Sequence, residues 1–370
     1  MNFLSTITSI KTKYIEGKAT GHDFGRTMDY VSLTVETNDG LKGNALLPEL
    51  FQFTGGKSFA RGTQAIIDTL SDLVIGKDSL SLESIWEELF QKSTRWGRRG
   101  IVIQAISAID VALWDLLGKE CGKPIYKLLG GYRNKTPTYG NCAYQMPPKE
   151  LAAKARKMVD DGFSAIKIRG SLTAVSPEEA TERIKLVREA IGDKVKLMVD
   201  LNGTYNSALA AKMLNIWERY DLFWVEEPVP PDDFEGYRHI RKTTNAPLAA
   251  GEQLFTVKDF QYYIENDLVD IIQPDVYVVG GVTEWLNVWS LAKTYGVPVS
   301  PHLAPVESAH LVAAKPNTLW IEYVPPDNYL RSTMFEILSN PRSILYAEDG
   351  LVTPPESPGF GTEFNSPYSP

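Results

Sequence analysis

Cysteine is scarce in this chain of 370 residues: Cys121 and Cys142 are the only two, too few for a disulfide framework to organise the fold. A surplus of positive charge is also missing. Lys and Arg number 38 against 46 Asp and Glu, giving a net charge of −8. With no Lys/Arg run either, the chain lacks the electrostatic footprint of a nucleic-acid binder or of a protein drawn to an anionic membrane. A small anionic substrate stays open, because a bound cation reverses the field inside a pocket. No segment reads as the ~20 apolar residues of a membrane span. Residues 1–14 alternate polar and apolar, the pattern of a strand rather than a signal peptide. A cytoplasmic protein with no membrane or nucleic-acid partner is expected.

What is present is ordinary globular material, 43% hydrophobic and 23% charged, in a length that suits one large domain and a smaller one. Residues 4–15 alternate, and 28–48 form two strand-like runs around Asn38, Asp39 and Gly40, a hairpin signal. Helical patterns follow near 59–75 and 82–92, then from Ile101 to Leu117 with Ala105, Ile109 and Leu113 at helical spacing. Sheet first and helices after predicts an α+β unit.

From about residue 136 the rhythm changes. Short apolar runs recur at 138–142, 165–168, 196–201, 222–225, 248–250, 269–272, 297–300 and 320–323, with helix-like segments between most of them. Eight strands alternating with helices predict a (β/α)8 barrel. The expected domains are a capping unit over 1–130, the barrel over 131–335, and a segment over 336–370 whose Pro/Gly-rich tail returns to the cap. No internal repeat appears beyond the βα rhythm.

Three acids close three successive strands: Asp200, Glu226 and Glu252, separated by 26 and 26 residues. Equal spacing puts them on neighbouring strands at one height, the C-terminal mouth where barrel active sites lie. One such acid is more often a helix cap. Three in register repel one another unless a cation joins them, and hard oxygen ligands suit Mg2+. The next two strand ends carry Asp275 and His302, a pair in which the carboxylate orients the imidazole and raises its basicity. His22, His239 and His310 read as structural histidines, His239 on an exposed helix face. Lys167 and Arg169, two apart on the second strand, face the interior together, toward the acids or a substrate anion.

These residues resemble the mandelate racemase group of the enolase superfamily, over nearly the whole chain. The stretch from Ala105 to Lys119, continuing from Gly122 to Gly131, is similar to that group's signature leading into the barrel. The resemblance implies Asp200, Glu226 and Glu252 as ligands of one Mg2+ per subunit and Asp275 and His302 as the acid/base dyad. Glu322 would contact the substrate carboxylate or enediolate, and a protonated Glu322, its pKa raised by burial, would donate to it. Lys167 matches the first lysine of the group's Lys-x-Lys motif. The second position departs from it: Arg169 stays protonated, with a pKa above about 12, and makes a poor base. The resemblance also implies a homo-oligomer.

With a base on one face of the α carbon, two-base racemisation is disfavoured. Dehydration of a sugar acid, aldonate or aldarate, to a 2-keto-3-deoxy acid is expected. Epimerisation or cycloisomerisation of a hydroxy acid or lactone is the rival. A metal-stabilised binding barrel without catalysis, and an aldolase using Lys167 as a Schiff base, are rivals of other kinds. The small carboxylate substrate is expected to meet His22 and Arg26 in 21–26, Trp96 in 95–99, and Asn202 and Tyr139 in the barrel, with Asn141 and Glu227 as weaker candidates.

Overall fold

The computed structural model describes residues 5–18, 28–48, 59–341 and 346–370. It opens with an antiparallel meander of β1 (Ile7–Ile15), β2 (Tyr30–Thr37) and β3 (Lys42–Pro48). The expected hairpin sits between β2 and β3, where Gly40 takes a φ of 84° and its N–H donates to Thr37 O at 3.0 Å. Helices Ala60–Ser71, Leu82–Lys92 and Ile101–Glu120 follow.

The last of these corrects an expectation. By length and apolarity it could cross a membrane, yet 83% of its apolar window is buried inside the protein. It is mostly apolar because it is a core helix. It lies so close to β3 that a Cβ on Gly43 would stand 2.1 Å from Ala112 O.

Two acids on this helix tie the molecule together. Asp110 accepts from the Thr283 N–H at 3.0 Å and the Thr283 hydroxyl at 2.7 Å. It thereby caps the barrel helix Gly281–Tyr295, whose own N-cap, Gly280, has no side chain to offer. Trp114 Nε1 reaches Thr283 Oγ1, and Trp86 Nε1 reaches Gly280 O, at 3.0 and 2.7 Å. Asp115 accepts from the Asn44 N–H on β3 at 2.9 Å and the Phe360 N–H of the tail at 2.7 Å. The tail continues along the sheet, where Ser32 Oγ donates to Tyr368 O at 2.8 Å.

The second half is a parallel barrel. β4 (Thr136–Asn141), β5 (Ala165–Arg169), β6 (Lys196–Asp200), β7 (Leu222–Glu226), β8 (Leu248–Ala250) and β9 (Ile271–Ile272) pair in sequence order. The run at 297–300 is reduced to single parallel bridges from Val299 to Ile272 and to Thr318. β10 (Ile321–Tyr323) then pairs with β4 and closes the ring. β11 (Leu351–Val352) adds antiparallel to β4. Inside the barrel, Tyr139, Ala165, Met198, Trp224, Ala249 and Ile271 form one apolar layer. Most of these lie two positions before a polar strand-end residue, so strand alternation stacks a polar mouth on an apolar floor.

Replacing Asp110 by Ala should lower the unfolding free energy by about 1–3 kcal/mol, because the start of a buried helix loses its acceptor. Asp110→Asn, which keeps one acceptor oxygen, should lose less. Urea unfolding of both variants would check this; equal stability of Asp110→Ala and the parent would show that the cap carries no weight.

Candidate active site

Strand register sets the heights. Arg169 pairs with Asp200, and Asp200 with Glu226, at the C-terminal ends of β5, β6 and β7. Glu252 follows β8 by two residues. Oxygens of Asp200, Glu226 and Glu252 all come within 4.8 Å of one another, and all three residues are buried. Burial raises the Glu226 carboxyl, with Asp200 adding to the rise against the pull of Lys167. Glu252 is pushed up to about 8 by burial, with Asp200 and Glu226 adding to it against the opposing pull of His302 and Lys167. Buried carboxylates gathered this closely form a donor set that fits a divalent cation of the Mg2+ kind.

The supports of these acids are specific. Asp200 accepts from the Asn202 N–H and Nδ2, both at 2.9 Å. Glu226 Oε2 accepts from Gln273 Nε2 at 2.7 Å and Trp224 Nε1 at 3.1 Å. Lys167 Nζ lies between Glu226 Oε1 at 2.6 Å and Glu322 Oε1 at 2.9 Å. Burial opposes its charge, but Glu226 and Glu322 outweigh that and hold it protonated. An Arg169 nitrogen is 4.0 Å from Asp200 Oδ2.

Asp275 and His302 meet as expected, Oδ2 to Nδ1 at 2.9 Å. The opposite nitrogen, Nε2, faces Glu252 at 3.2 Å and Glu322 at 3.8 Å. Burial pulls the imidazole pKa down, but Glu252, Asp275 and Glu322 together raise it to about 10. A cation on the acids would offset the pull of Glu252 on the imidazole.

Glu322 differs from expectation. Burial does raise its pKa, but Lys167, His302 and the Leu303 N–H outweigh it and bring the carboxyl down to about 2. It accepts from Asn141 Nδ2 at 2.6 Å and from the Leu303 N–H at 3.1 Å. These donors and cations favour the anionic form of Glu322.

The outlying candidates fare unevenly. Tyr139 is fully buried in the apolar layer, edge-on to Trp224 at 5.6 Å, with Lys167 Nζ 5.4 Å above its ring. It belongs to the floor of the site and not to its pocket, because it sits two residues below Asn141 on the same strand face. Asn202, at a φ of 46°, commits its N–H and Nδ2 to Asp200, leaving Oδ1 buried and without a partner among the described residues. Trp96 is 53% exposed and makes no hydrogen bond or ring contact with any described residue of the mouth. Its neighbour Arg99 reaches the barrel instead, pairing with Asp259 at 2.6 Å. His22 and Arg26 lie outside the described residues. His310 and His239 are structural, the first buried with Nδ1 accepting from the Tyr126 N–H at 3.2 Å, the second exposed on the helix Phe234–Thr243.

Sequence reasoning missed Gln273, whose signal was available: it precedes Asp275 by two and so shares its strand face. It also passed over the Leu303 amide, which no side-chain pattern reveals.

Comparison with known proteins agrees with this geometry. Residues 20–130 match the mandelate racemase/muconate lactonizing enzyme N-terminal domain, and residues 150–368 match the enolase C-terminal domain-like family. An arabinonate dehydratase of Saccharolobus solfataricus is 32% identical over 347 residues, covering 90% of this chain and 88% of its own. Further relatives at about 30% identity are also named as sugar-acid dehydratases. An enolase from Bradyrhizobium, solved with magnesium and mandelic acid, superposes with a TM-score of 0.88 at 27% identity, covering 100% of this chain and 98% of its own. A 3,6-anhydro-D-galactonate cycloisomerase from Zobellia galactanivorans superposes with a TM-score of 0.85 at 30% identity, covering 98% and 97%. A racemase from Streptomyces coelicolor and an L-talarate dehydratase from Polaromonas were likewise solved with magnesium, the kind of ion that the acidic triad here could hold. Two family models spanning cap and barrel, together with an acidic triad built for a cation, make the chain a member of the mandelate racemase/muconate lactonizing enzyme family of the enolase superfamily.

Proposed function

We propose that the protein dehydrates a sugar acid, an aldonate or aldarate, to a 2-keto-3-deoxy acid. The observation that carries the reading is the one-sidedness of the site. β6, β7 and β8, which lead to the three acids, separate Lys167 and Arg169 on β5 from Asp275 and His302 beyond β8. On the β5 side the charges are fixed: the Lys167 ammonium is held between two carboxylates and Arg169 is a guanidinium. One imidazole is left to move protons, and a β-elimination needs no more than that. The sugar-acid dehydratases among the relatives support the same choice.

Asp200, Glu226 and Glu252 would hold Mg2+, which when bound would supply positive charge against the second negative charge created by α-proton removal. The rest falls to side chains. Asp275 keeps the His302 Nδ1–H toward itself, so Nε2 presents its lone pair to the α C–H. Nε2 takes that proton, the C3–O bond breaks, and the imidazolium returns a proton to the departing hydroxyl as water. The enol left behind ketonises. Lys167 places its positive charge beside Glu322, so that an anionic Glu322 does not repel the substrate carboxylate. Substrate choice is assigned to the capping unit, residues 1–130.

A screen of aldonic and aldaric acids with Mg2+, read as 2-keto acid with semicarbazide, should give a hit that EDTA removes. Exchange of the α proton in D2O without loss of water would transfer the reading to epimerisation or cycloisomerisation.

His302→Asn should reduce kcat by about 10²–10⁴-fold while Mg2+ affinity by calorimetry stays near that of the parent. Turnover retained in this variant would remove His302 from the mechanism.

For the metal, Mg2+ should raise the thermal midpoint of the parent protein, because it binds the folded state alone. Glu252→Gln removes one of the mutually repelling carboxylates. It should therefore unfold at a higher temperature than the parent without Mg2+, and gain little when Mg2+ is added. A full Mg2+ shift in Glu252→Gln would take Glu252 out of the ligand set.

A further inference from the structure

Both oxygens of Asp275 are in use. Oδ2 holds His302, and Oδ1 accepts from the Tyr277 N–H at 2.8 Å, capping the one-turn helix Val276–Val279. The Tyr277 side chain then runs away from the dyad into the seam between cap and barrel. Its hydroxyl donates to Glu307 Oε1 at 2.7 Å and accepts from the Leu46 N–H at 3.1 Å. Tyr277 and Glu307 are both buried, at 1% and 4% exposure. Leu46 belongs to β3, and Glu307 stands in the first turn of the helix Pro305–Ala314, shortly after His302.

One hydroxyl therefore joins three segments: the one that bears Asp275, the one that follows His302, and a strand of the capping sheet. The turn between His302 and Glu307 needs such a hold. Leu303 and Ala304 sit at φ of 36° and 43°, a left-handed pair without glycine, which persists only where its surroundings impose it. The Leu303 N–H is held by Glu322, the Leu303 carbonyl by Ser308 Oγ at 2.8 Å, and the far end by the Glu307–Tyr277 bond. The end of β3 closes on the same turn, where Pro48, Leu303, Pro305 and Glu322 line a cavity of about 20 Å³. No step of the proton transfer calls for Tyr277, so its place here is not explained by chemistry at the substrate.

We propose that Tyr277 is a positioning residue: through Glu307 and the Leu46 amide it fixes the His302 turn against Asp275 and ties that geometry to the capping sheet. This rests on the reading of His302 as the group that moves the proton.

Tyr277→Phe keeps the ring and removes the hydroxyl. In the Mg2+-loaded enzyme, kcat should fall roughly 10- to 100-fold, as small misplacements of a reacting group do, with KM within about twofold and Mg2+ affinity unchanged. Glu307→Gln still offers an oxygen to the phenol and should stay close to the parent. Glu307→Ala should reproduce the loss, and the double variant Tyr277→Phe/Glu307→Ala should be no worse than either single one, as expected for one coupled unit.

A substrate-free readout separates this inference from the functional one. The His302 Nδ1–H proton signal, assigned by its absence in His302→Asn, should shift and exchange faster with water in Tyr277→Phe and Glu307→Ala. Should the parent turn over no sugar acid while this signal responds, the positioning inference stands and the dehydratase reading falls. A folded Tyr277→Phe with parental kcat and an unmoved signal overturns the inference, as do multiplying losses in the double variant. Should Tyr277→Phe not fold, the same signal and kcat in Glu307→Ala decide the matter.

Discussion

Asp200, Glu226 and Glu252 crowd their oxygens within 4.8 Å of one another, out of water, at the ends of successive strands. Burial, with the neighbouring acids adding to it, raises the pKa of Glu226 and Glu252, and that rise records the cost. Much of the mouth answers it. Lys167 bonds Glu226, Gln273 and Trp224 donate to the same carboxylate, and Asn202 gives Asp200 two N–H groups. A divalent cation held by the triad would complete the answer. The site is an electrostatic problem held rigidly in place, which is what stabilising a dianionic reaction intermediate requires.

Rigidity comes from below and from the side. Below, Tyr139, Met198 and Trp224 fill the barrel interior one layer under the polar groups, so the carboxylates cannot sink or spread. From the side, one core helix lends Asp110 to the start of a barrel helix and Asp115 to the sheet and the tail. Cap and barrel are thus joined by satisfied buried polar groups as well as apolar packing, which fixes their geometry more sharply than apolar contact alone. The Tyr277 hydroxyl belongs to the same seam, on the segment whose backbone N–H bonds Asp275.

Much of this was legible beforehand. Period-two alternation placed Lys167 and Arg169 on one face, and equal spacing of the acids placed them at one height. The strand runs were found within a few residues, although the one at 297–300 shrank to bridges at Val299. The misses have physical causes. Alternation gives the face of a strand but not the depth, so Tyr139 and Asn141 look equivalent until the layers are seen. The helix Ile101–Glu120 is apolar over most of its surface because most of it is buried, and composition alone cannot tell that from a membrane span. Burial beside a carboxylate argues for a protonated Glu322; the cations and N–H groups that pull its pKa down instead come from Lys167, His302 and Leu303, far away along the chain.

The chain's own pattern was enough to determine an α+β unit ahead of a parallel barrel, an acidic triad for a divalent ion, and an Asp275–His302 pair, because these depend on period and spacing, which are properties of a linear sequence. Which oxygen faces which donor was decided only by the tertiary structure. Lys167 could have joined any acid at the mouth and joins Glu226 and Glu322; the Asn202 amide could have faced substrate and holds Asp200. The reason is that pairing energies fall off over a few ångströms, and ångström distances between strands follow from how the barrel closes and how the cap seats on it.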